Sequence, residues 1–295
     1  MSDTTSESLI GQLLTLTIGA PANGGTCVAR ADDGRVVFVR DALPGEVVTA
    51  RVTGEGKKGR FLEAEVEEVL TSNSQRVTPP CRYSRECGGC DLQHAALPLQ
   101  REMKAQIVVD LIQRLGGVTE IGGVPVAQAI TCEQIGGDEP ADSGLGTRTR
   151  VRYAVDEEGR LAMRRRGSHG LVQVESCPLG TPALSSIASE FRDGDPGLDV
   201  EFIESDDGMV VVRTAADDYA QVVHREVAEL SWQIAASGFW QVHRNAAEAL
   251  VEKVSRLLGV RPGNRVLDLY AGAGLFTGAL ARLVGSRGSV DAVES

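Results

Sequence analysis

Three cysteines stand close together at Cys81, Cys87 and Cys90, spaced C-x5-C-x2-C, with Gly88 and Gly89 inside the tighter pair. Thiolates converging on one centre force unusual backbone angles, which glycine tolerates. A four-coordinate centre needs a fourth thiolate, and Cys177, in Glu175-Ser-Cys-Pro178 where the chain must turn, is the best candidate. Four thiolates suit Zn²⁺ or an iron–sulfur cluster, and the residues leave both open, although x5 in the first pair disfavours a zinc ribbon. The bland alternative is a set of unrelated buried cysteines. Cys27 and Cys132 stand alone and read as small buried hydrophobes.

A second set begins at Arg265. Arg265-Val-Leu-Asp-Leu-Tyr270 is a near-continuous apolar strand, Ala271-Gly-Ala-Gly274 a tight loop, 275–284 a helix, and 289–294 a second strand ending in an acid. This is the opening βαβ unit of a doubly wound sheet, which binds ligands at the carboxyl ends of its strands. Gly272 and Gly274 let a ligand approach the backbone, and Glu294 is placed to accept both hydroxyls of a ribose. Thr277 stands where the G-x-G-x-x-G pattern has its third glycine, which weakens a dinucleotide reading. Asp268 favours S-adenosylmethionine, whose cationic methionyl end tolerates a carboxylate that would repel a pyrophosphate. The alternative is a βαβ unit with no ligand.

The third set is basic. Arg148, Arg150 and Arg152 alternate, so a strand projects them from one face, and Arg164, Arg165 and Arg166 precede Gly167-Ser168-His169. Two such clusters on adjacent β segments could line a phosphate track, although a solvated charged face is the commoner origin of an arginine run. Phe239-Trp240-Gln241 reads as a turn before a helix, with Phe239 expected in the core.

The elements that must position these residues divide the chain. After a polar tail over 1–8, strands are expected at 13–18, 26–29, 35–39, 46–52 and 61–69, so that 9–70 forms a small barrel of the OB kind. The cysteine loop occupies 71–95. An amphipathic helix over 97–115 carries Leu99, Met103, Ile107, Leu111 and Leu115 on one stripe and opens a central domain, 96–235, that is otherwise mainly antiparallel β. Within it 136–146 reads as loop and 181–191 as helix. The α/β domain begins near residue 236 with a helix over 245–258, making the whole a multi-domain α+β chain.

Composition agrees with two or three domains: 295 residues, 42% hydrophobic and 24% charged, which excludes wholesale disorder. No apolar run approaches the roughly 20 residues of a membrane span, and the acidic first residues lack signal-peptide character; a cytoplasmic protein is expected. Thirty basic against 41 acidic side chains give −11, which argues against a generic nucleic-acid coat. The distribution is uneven. Residues 116–147 hold five acids and no Lys or Arg, residues 179–235 hold twelve acids and three bases, and 148–178 between them hold seven Arg against four acids.

Together these segments resemble the RNA uracil-C5 methyltransferases, which make 5-methyluridine in ribosomal or transfer RNA. The resemblance runs from about residue 10 onward and is carried by Cys81-x5-Cys87-Gly-Gly-Cys90-x2-Gln93-His94, Arg164-Arg-Arg-Gly-Ser-His169 with Cys177-Pro178, Phe239-Trp-Gln241-Val, and Leu267-Asp-Leu-Tyr270-Ala-Gly-Ala-Gly274-Leu-Phe276. It implies a TRAM domain for the OB-like barrel, and a central domain holding a structural, RNA-facing [4Fe–4S] cluster through Cys81, Cys87, Cys90 and Cys177. It also implies a class I methyltransferase domain whose Gln241, Tyr270 and Glu294 contact S-adenosylmethionine.

The implied activity is S-adenosylmethionine-dependent methylation of uracil C5 in rRNA or tRNA through a covalent Cys–C6 adduct. The family's nucleophilic Cys, its base and its Asp-Pro-Pro segment find no match here, and no catalytic residue is assigned. Cys27 is remote from the cofactor loop in sequence, and the acidic surroundings of Cys132 would raise a thiol pKa. The sequence is therefore expected to stop within the methyltransferase domain, supplying RNA binding, the cluster and part of the cofactor site. Expected partners are RNA, with neither DNA nor membrane, and a monomeric state. Two other readings are a non-catalytic iron–sulfur RNA-binding module and a four-cysteine zinc protein with a vestigial nucleotide fold.

Overall fold

The computed structural model describes residues 8–56, 59–138, 143–214 and 221–294. The expected tail over 1–8 lies almost wholly outside the described residues, and the loop expected over 136–146 lies partly outside them. Two compact units form, Met1–Gln134 and Ile135–Ser295.

The first unit is built on six strands: β1 (Leu13–Thr17), β2 (Pro21–Ala22), β3 (Thr26–Arg30), β4 (Val36–Arg40), β5 (Val47–Glu55) and β6 (Phe61–Thr71). They pair in the order β1-β5-β6-β4-β3-β2, antiparallel except for β4 with β6. The two ends of this sheet, β1 and β2, are successive pieces of chain joined through Ile18–Ala20, where Gly19 N–H donates to the Val28 carbonyl. Alternation drives the packing: Cys27 and Ala29 on β3 and Val37 and Val39 on β4 point inward between half-exposed neighbours. Glu46 is fully buried beside them, held by the Leu43 and Asn73 N–H groups and the Arg76 guanidinium.

Helix α1 (Leu97–Gly116) has Pro98 in its first turn and ends on Gly117 at φ 63°. Sequence alone groups this helix with the central domain. In the structure Leu99 and Met103 enter the core of the first unit, while Leu111 and Leu115 are 36% and 82% exposed. A helix of 20 residues is about 30 Å long, more than a small sheet core can cover, so only its first turns are buried. A short hairpin, β7 (Glu120–Ile121) and β8 (Val124–Pro125), and the single turn α2 (Val126–Ala129) complete the unit.

The second unit centres on an antiparallel sheet in the order β11-β10-β9-β12-β13, formed by β9 (Arg150–Val155), β10 (Leu161–Arg164), β11 (Leu171–Gln173), β12 (Asp199–Glu204) and β13 (Val210–Thr214). Helix α3 (Pro182–Glu190) is capped by the Thr181 hydroxyl, and Tyr153, Phe202 and Phe191 stack between sheet and helix. A hairpin follows, β14 (Val222–Val227) and β15 (Leu230–Ala235), then α4 (Ala246–Leu258). The last unit of structure is β16 (Arg265–Leu269), α5 (Leu275–Val284) and β17 (Ser289–Val293), with β16 and β17 parallel and in register Arg265↔Ser289 to Leu269↔Val293. One core joins the hairpin to α4 and α5 through Val227, Trp232, Trp240, Val251 and Leu275. No helix among the described residues is long and apolar enough to cross a membrane.

Candidate functional site

The glycine loop is a sharp reversal at the carboxyl end of β16. Tyr270, Gly272 and Gly274 all take positive φ, at 59°, 55° and 80°. For a tyrosine this conformation is costly, and its side chain is 88% exposed rather than packed. Nothing lies within 4 Å of where a Cβ on Gly272 would stand, so the left-handed backbone, not crowding, requires glycine there. The loop is tied to the neighbouring strand: Ala271 N–H donates to the Val293 carbonyl, and Gly272 N–H donates to Glu294 Oε2 at 2.7 Å. The acid expected to hold a ribose therefore also fixes the backbone of the loop.

Asp268 is buried at 9% exposure, and Thr277 Oγ1 donates to its Oδ2. Thr277, which breaks the dinucleotide pattern, thus positions the carboxylate. Close packing of helix against its neighbours falls instead to Gly278, one residue later: a Cβ there would lie 3.0 Å from the Trp232 ring. Spacing templates look for that glycine at 277; only the position of Trp232 shows it at 278. A carboxylate held near the start of α5, an open glycine loop and an acid at the end of β17 fit the methionyl and ribose ends of S-adenosylmethionine. Gln241 lies elsewhere, on the wall of a pocket with Thr149, Glu204, Arg225 and Trp240; no residue of the glycine loop lines it. Phe239, expected in the core, is 75% exposed, because Trp240 takes the interior position against Trp232, 5.8 Å away between ring centres.

Cys81, Cys87 and Cys90 lie in one half-exposed loop of the first unit, anchored at its start by Arg76 on Glu46 and at its end by the Arg76–Ala95 bridge. Gln93 Oε1 accepts from Cys81 N–H, and Gly89 N–H donates to Cys87 Sγ at 3.4 Å. Burial pushes the Cys81 thiol up, and the nearby Cys90 adds to the shift against a backbone hydrogen bond at Tyr83. Cys177 belongs to the second unit, where its N–H donates to the Tyr153 hydroxyl. Among the described residues no three His, Cys, Asp or Glu side chains converge as a metal-binding group. Thiols of this kind suit a cluster chemically. Cys27 is fully buried, donates to the Ala42 carbonyl, and burial pushes its thiol up to about 12. Cys132 lines a groove between α1 and α2.

The arginine island is woven into the sheet. Arg150 and Arg152 share the outer face of β9, alternating with buried Val151 and Tyr153. Arg152 donates twice to Glu201 Oε1, Arg213 donates to Oε2 of the same carboxylate, and Arg164 pairs with Asp199 at 2.7 Å. Burial alone would raise the Glu201 pKa, but the hydrogen bonds from Arg152 and Arg213 hold the carboxyl below the usual range. Arg150 donates to the Ala236 carbonyl, and Arg148 sits where short bridges reach Gly180 and His243. Arg165 and Arg166 stand in the turn beyond β10, with Arg165 N–H on the Gly170 carbonyl.

Residues 7–66 match the TRAM domain family. An uncharacterized RNA methyltransferase of Streptomyces avermitilis is 37% identical over 97% of the chain, which spans 73% of that relative's length. The chain belongs to the RNA methyltransferase family. The methyltransferase is also similar to the Halomonas elongata protein named 23S rRNA (uracil(1939)-C(5))-methyltransferase RlmD, 34% identical over 90% of the chain and 63% of that protein. In fold it is similar to Pyrococcus abyssi tRNA (uracil-54, C5)-methyltransferase, solved with S-adenosyl-L-homocysteine, with a TM-score of 0.58 at 20% identity over 91% of this chain and 70% of that one. At that identity the likeness speaks for the fold alone. The resemblance read from the motifs, and the TRAM domain it implied, are borne out.

Proposed function

We propose that this methyltransferase carries a methyl group from S-adenosylmethionine to C5 of a uracil in RNA, 23S rRNA or tRNA. The observation that carries the reading is the parallel β16–α5–β17 unit with its positive-φ loop and its positioned Asp268, in a chain whose relatives are RNA methyltransferases. The bound cofactor supplies an electrophilic methyl group. Asp268 would face its cationic end, Glu294 would take the ribose hydroxyls, Tyr270 would shape the loop, and Gln241 would add a contact to the cofactor. Uracil C5 becomes nucleophilic when a thiolate adds to C6; C5 takes the methyl, a base removes the C5 proton, and the thiolate leaves. The target base must be turned out of its stack to be reached. Cys27 is not that thiolate, since its raised pKa keeps it protonated at neutral pH, and neither thiolate nor base is assigned within this chain.

Calorimetry is expected to show one S-adenosylhomocysteine site, weakened about tenfold by Glu294→Ala through lost charge-assisted hydrogen bonds. Methyl transfer from labelled cofactor should place 5-methyluridine in rRNA or tRNA digests; label at any other nucleoside would sink the uracil assignment.

The same reading gives Cys81, Cys87, Cys90 and Cys177 to a [4Fe–4S] cluster, supported by four thiols, none in a disulfide, in a chain of this family. Anaerobically prepared protein should be brown, with four irons and four sulfides per chain. Colourless protein carrying zinc would refute the cluster.

A further inference from the structure

The chain has four asparagines, Asn23, Asn73, Asn245 and Asn264, and the fold leaves one of them chemically open. Asn73 spends both ends of its amide, donating to the Pro44 carbonyl and accepting from Gln75 N–H. Asn264 accepts from Arg261 N–H. Asn245 stands before α4, where the next N–H, that of Ala246, is held by the His243 carbonyl. Asn23 is exposed and opens the turn Asn23-Gly24-Gly25 that joins β2 to β3. Among the described residues, neither its side chain nor the Gly24 N–H makes a hydrogen bond.

An asparagine amide is attacked by the backbone nitrogen that follows it when that nitrogen is unbonded and unscreened. Gly24 supplies the least hindered nitrogen of any residue type, in a left-handed turn at φ 83°, and nothing lies within 4 Å of where its Cβ would stand. The other end of the turn is closed. A Cβ on Gly25 would stand 2.2 Å from Asp91 Cβ, so Gly25 and the cysteine loop touch directly. Asp91 in turn pairs with Arg40 of β4 at 3.0 Å and fastens that loop to the sheet. A change of backbone at Asn23 therefore reaches Asp91 through a contact with no slack.

We propose that Asn23 is a site of spontaneous modification in the folded chain, and that its isoaspartyl product unseats the cysteine loop from Arg40. Gly24 N bonds to Asn23 Cγ, the Cγ–Nδ2 bond breaks, and ammonia leaves with the Gly24 amide proton, closing a cyclic imide. Solvent water then opens the imide at either carbonyl. Cleavage of the new bond gives aspartate; cleavage of the original peptide bond leaves the chain running through the side chain as isoaspartate. The isoaspartyl turn is longer by a backbone carbon, and with Gly25 against Asp91 the added length displaces Asp91. Neither methyl transfer nor a bound cluster is needed for this chemistry.

Fresh full-length chain and the same chain aged in mildly alkaline buffer, compared by peptide mapping and amide exchange, test it. The peptide holding Asn23 is expected to show the amide-to-acid mass gain ahead of Asn73, Asn245 and Asn264, with isoaspartate as the larger product. Exchange over residues 87–95 should quicken in the aged chain by up to about fivefold, the worth of one exposed ion pair. Asn23→Asp carries the new charge on an unaltered backbone and should exchange like the fresh chain, and Asn23→Ser should age with no change in either readout. Conversion of another asparagine first, or none at Asn23, overturns the site. Unchanged exchange over 87–95 after conversion overturns its link to the cysteine loop. Quickened exchange in Asn23→Asp would trace the effect to charge and overturn the part given to the lengthened turn.

Discussion

Thr277 stands where a dinucleotide-binding loop has glycine, and its hydroxyl fixes the buried carboxylate of Asp268. On the proposed reading, a carboxylate so held would discriminate by charge, since S-adenosylmethionine is a sulfonium cation and S-adenosylhomocysteine is neutral at sulfur. Thr277→Val is accordingly expected to weaken S-adenosylmethionine binding about tenfold, the worth of one charge-assisted hydrogen bond, and to affect S-adenosylhomocysteine less. Thr277→Ser should restore the preference, and equal losses for both ligands in calorimetry would reduce Thr277 to a packing role. The turn at Gly272 and Gly274 was legible because the loop is local and its φ values need glycine. Gly278 was not, because the ring it makes room for, Trp232, comes from a hairpin more than forty residues earlier.

Elements with a strong period were legible. The strands of the first sheet alternate buried and exposed residues, and α4 and α5 begin and end within a residue or so of the expected bounds. The β14–β15 hairpin was not, since its two-residue turn, Ala228-Glu229, lacks the Asn or Gly that usually supplies positive φ. The turn holds φ of 51° and 60° because two outside side chains fasten it at three points: Glu248 accepts from Ala228 N–H, and Arg282 binds both the Ala228 carbonyl and the Glu229 carboxylate. Glu46 fastens the cysteine loop in a similar way, through Arg76 and Asn73. Removing one partner of a buried pair strands the other, so Glu46→Ala should cost about 3–5 kcal/mol in urea unfolding. A change below about 1 kcal/mol would mean Arg76 finds water instead.

At the scale of the molecule, the acidic flank and the arginine island interlock. Arg152 meets Glu201 across 49 residues of sequence and Arg164 meets Asp199 across 35. Charge counting found both stretches; it could not find their pairing, which the strand order β10-β9-β12 creates. Because the folded pKa of Glu201 lies below its unfolded value, its stabilisation is present above the ordinary carboxylate range, near 4.3, and is lost as pH falls through the folded value. Acid unfolding should thus lose part of its pH dependence in Glu201→Gln. For RNA, replacing Arg164, Arg165 and Arg166 together by Ala is expected to weaken binding and flatten its salt dependence by up to about three phosphate contacts. An unaltered slope would assign these arginines to the protein's own ion pairs.

The tryptophan pair has a spectroscopic consequence. The chain has two tryptophans, Trp232 and Trp240, and both belong to one core of the second unit. Indole fluorescence therefore watches residues 135–295 alone, and unfolding of the TRAM-bearing unit is dark in that channel. Melts followed in parallel by indole emission and by far-ultraviolet dichroism, which sees the backbone of both units, would read the two stabilities from one unlabelled sample.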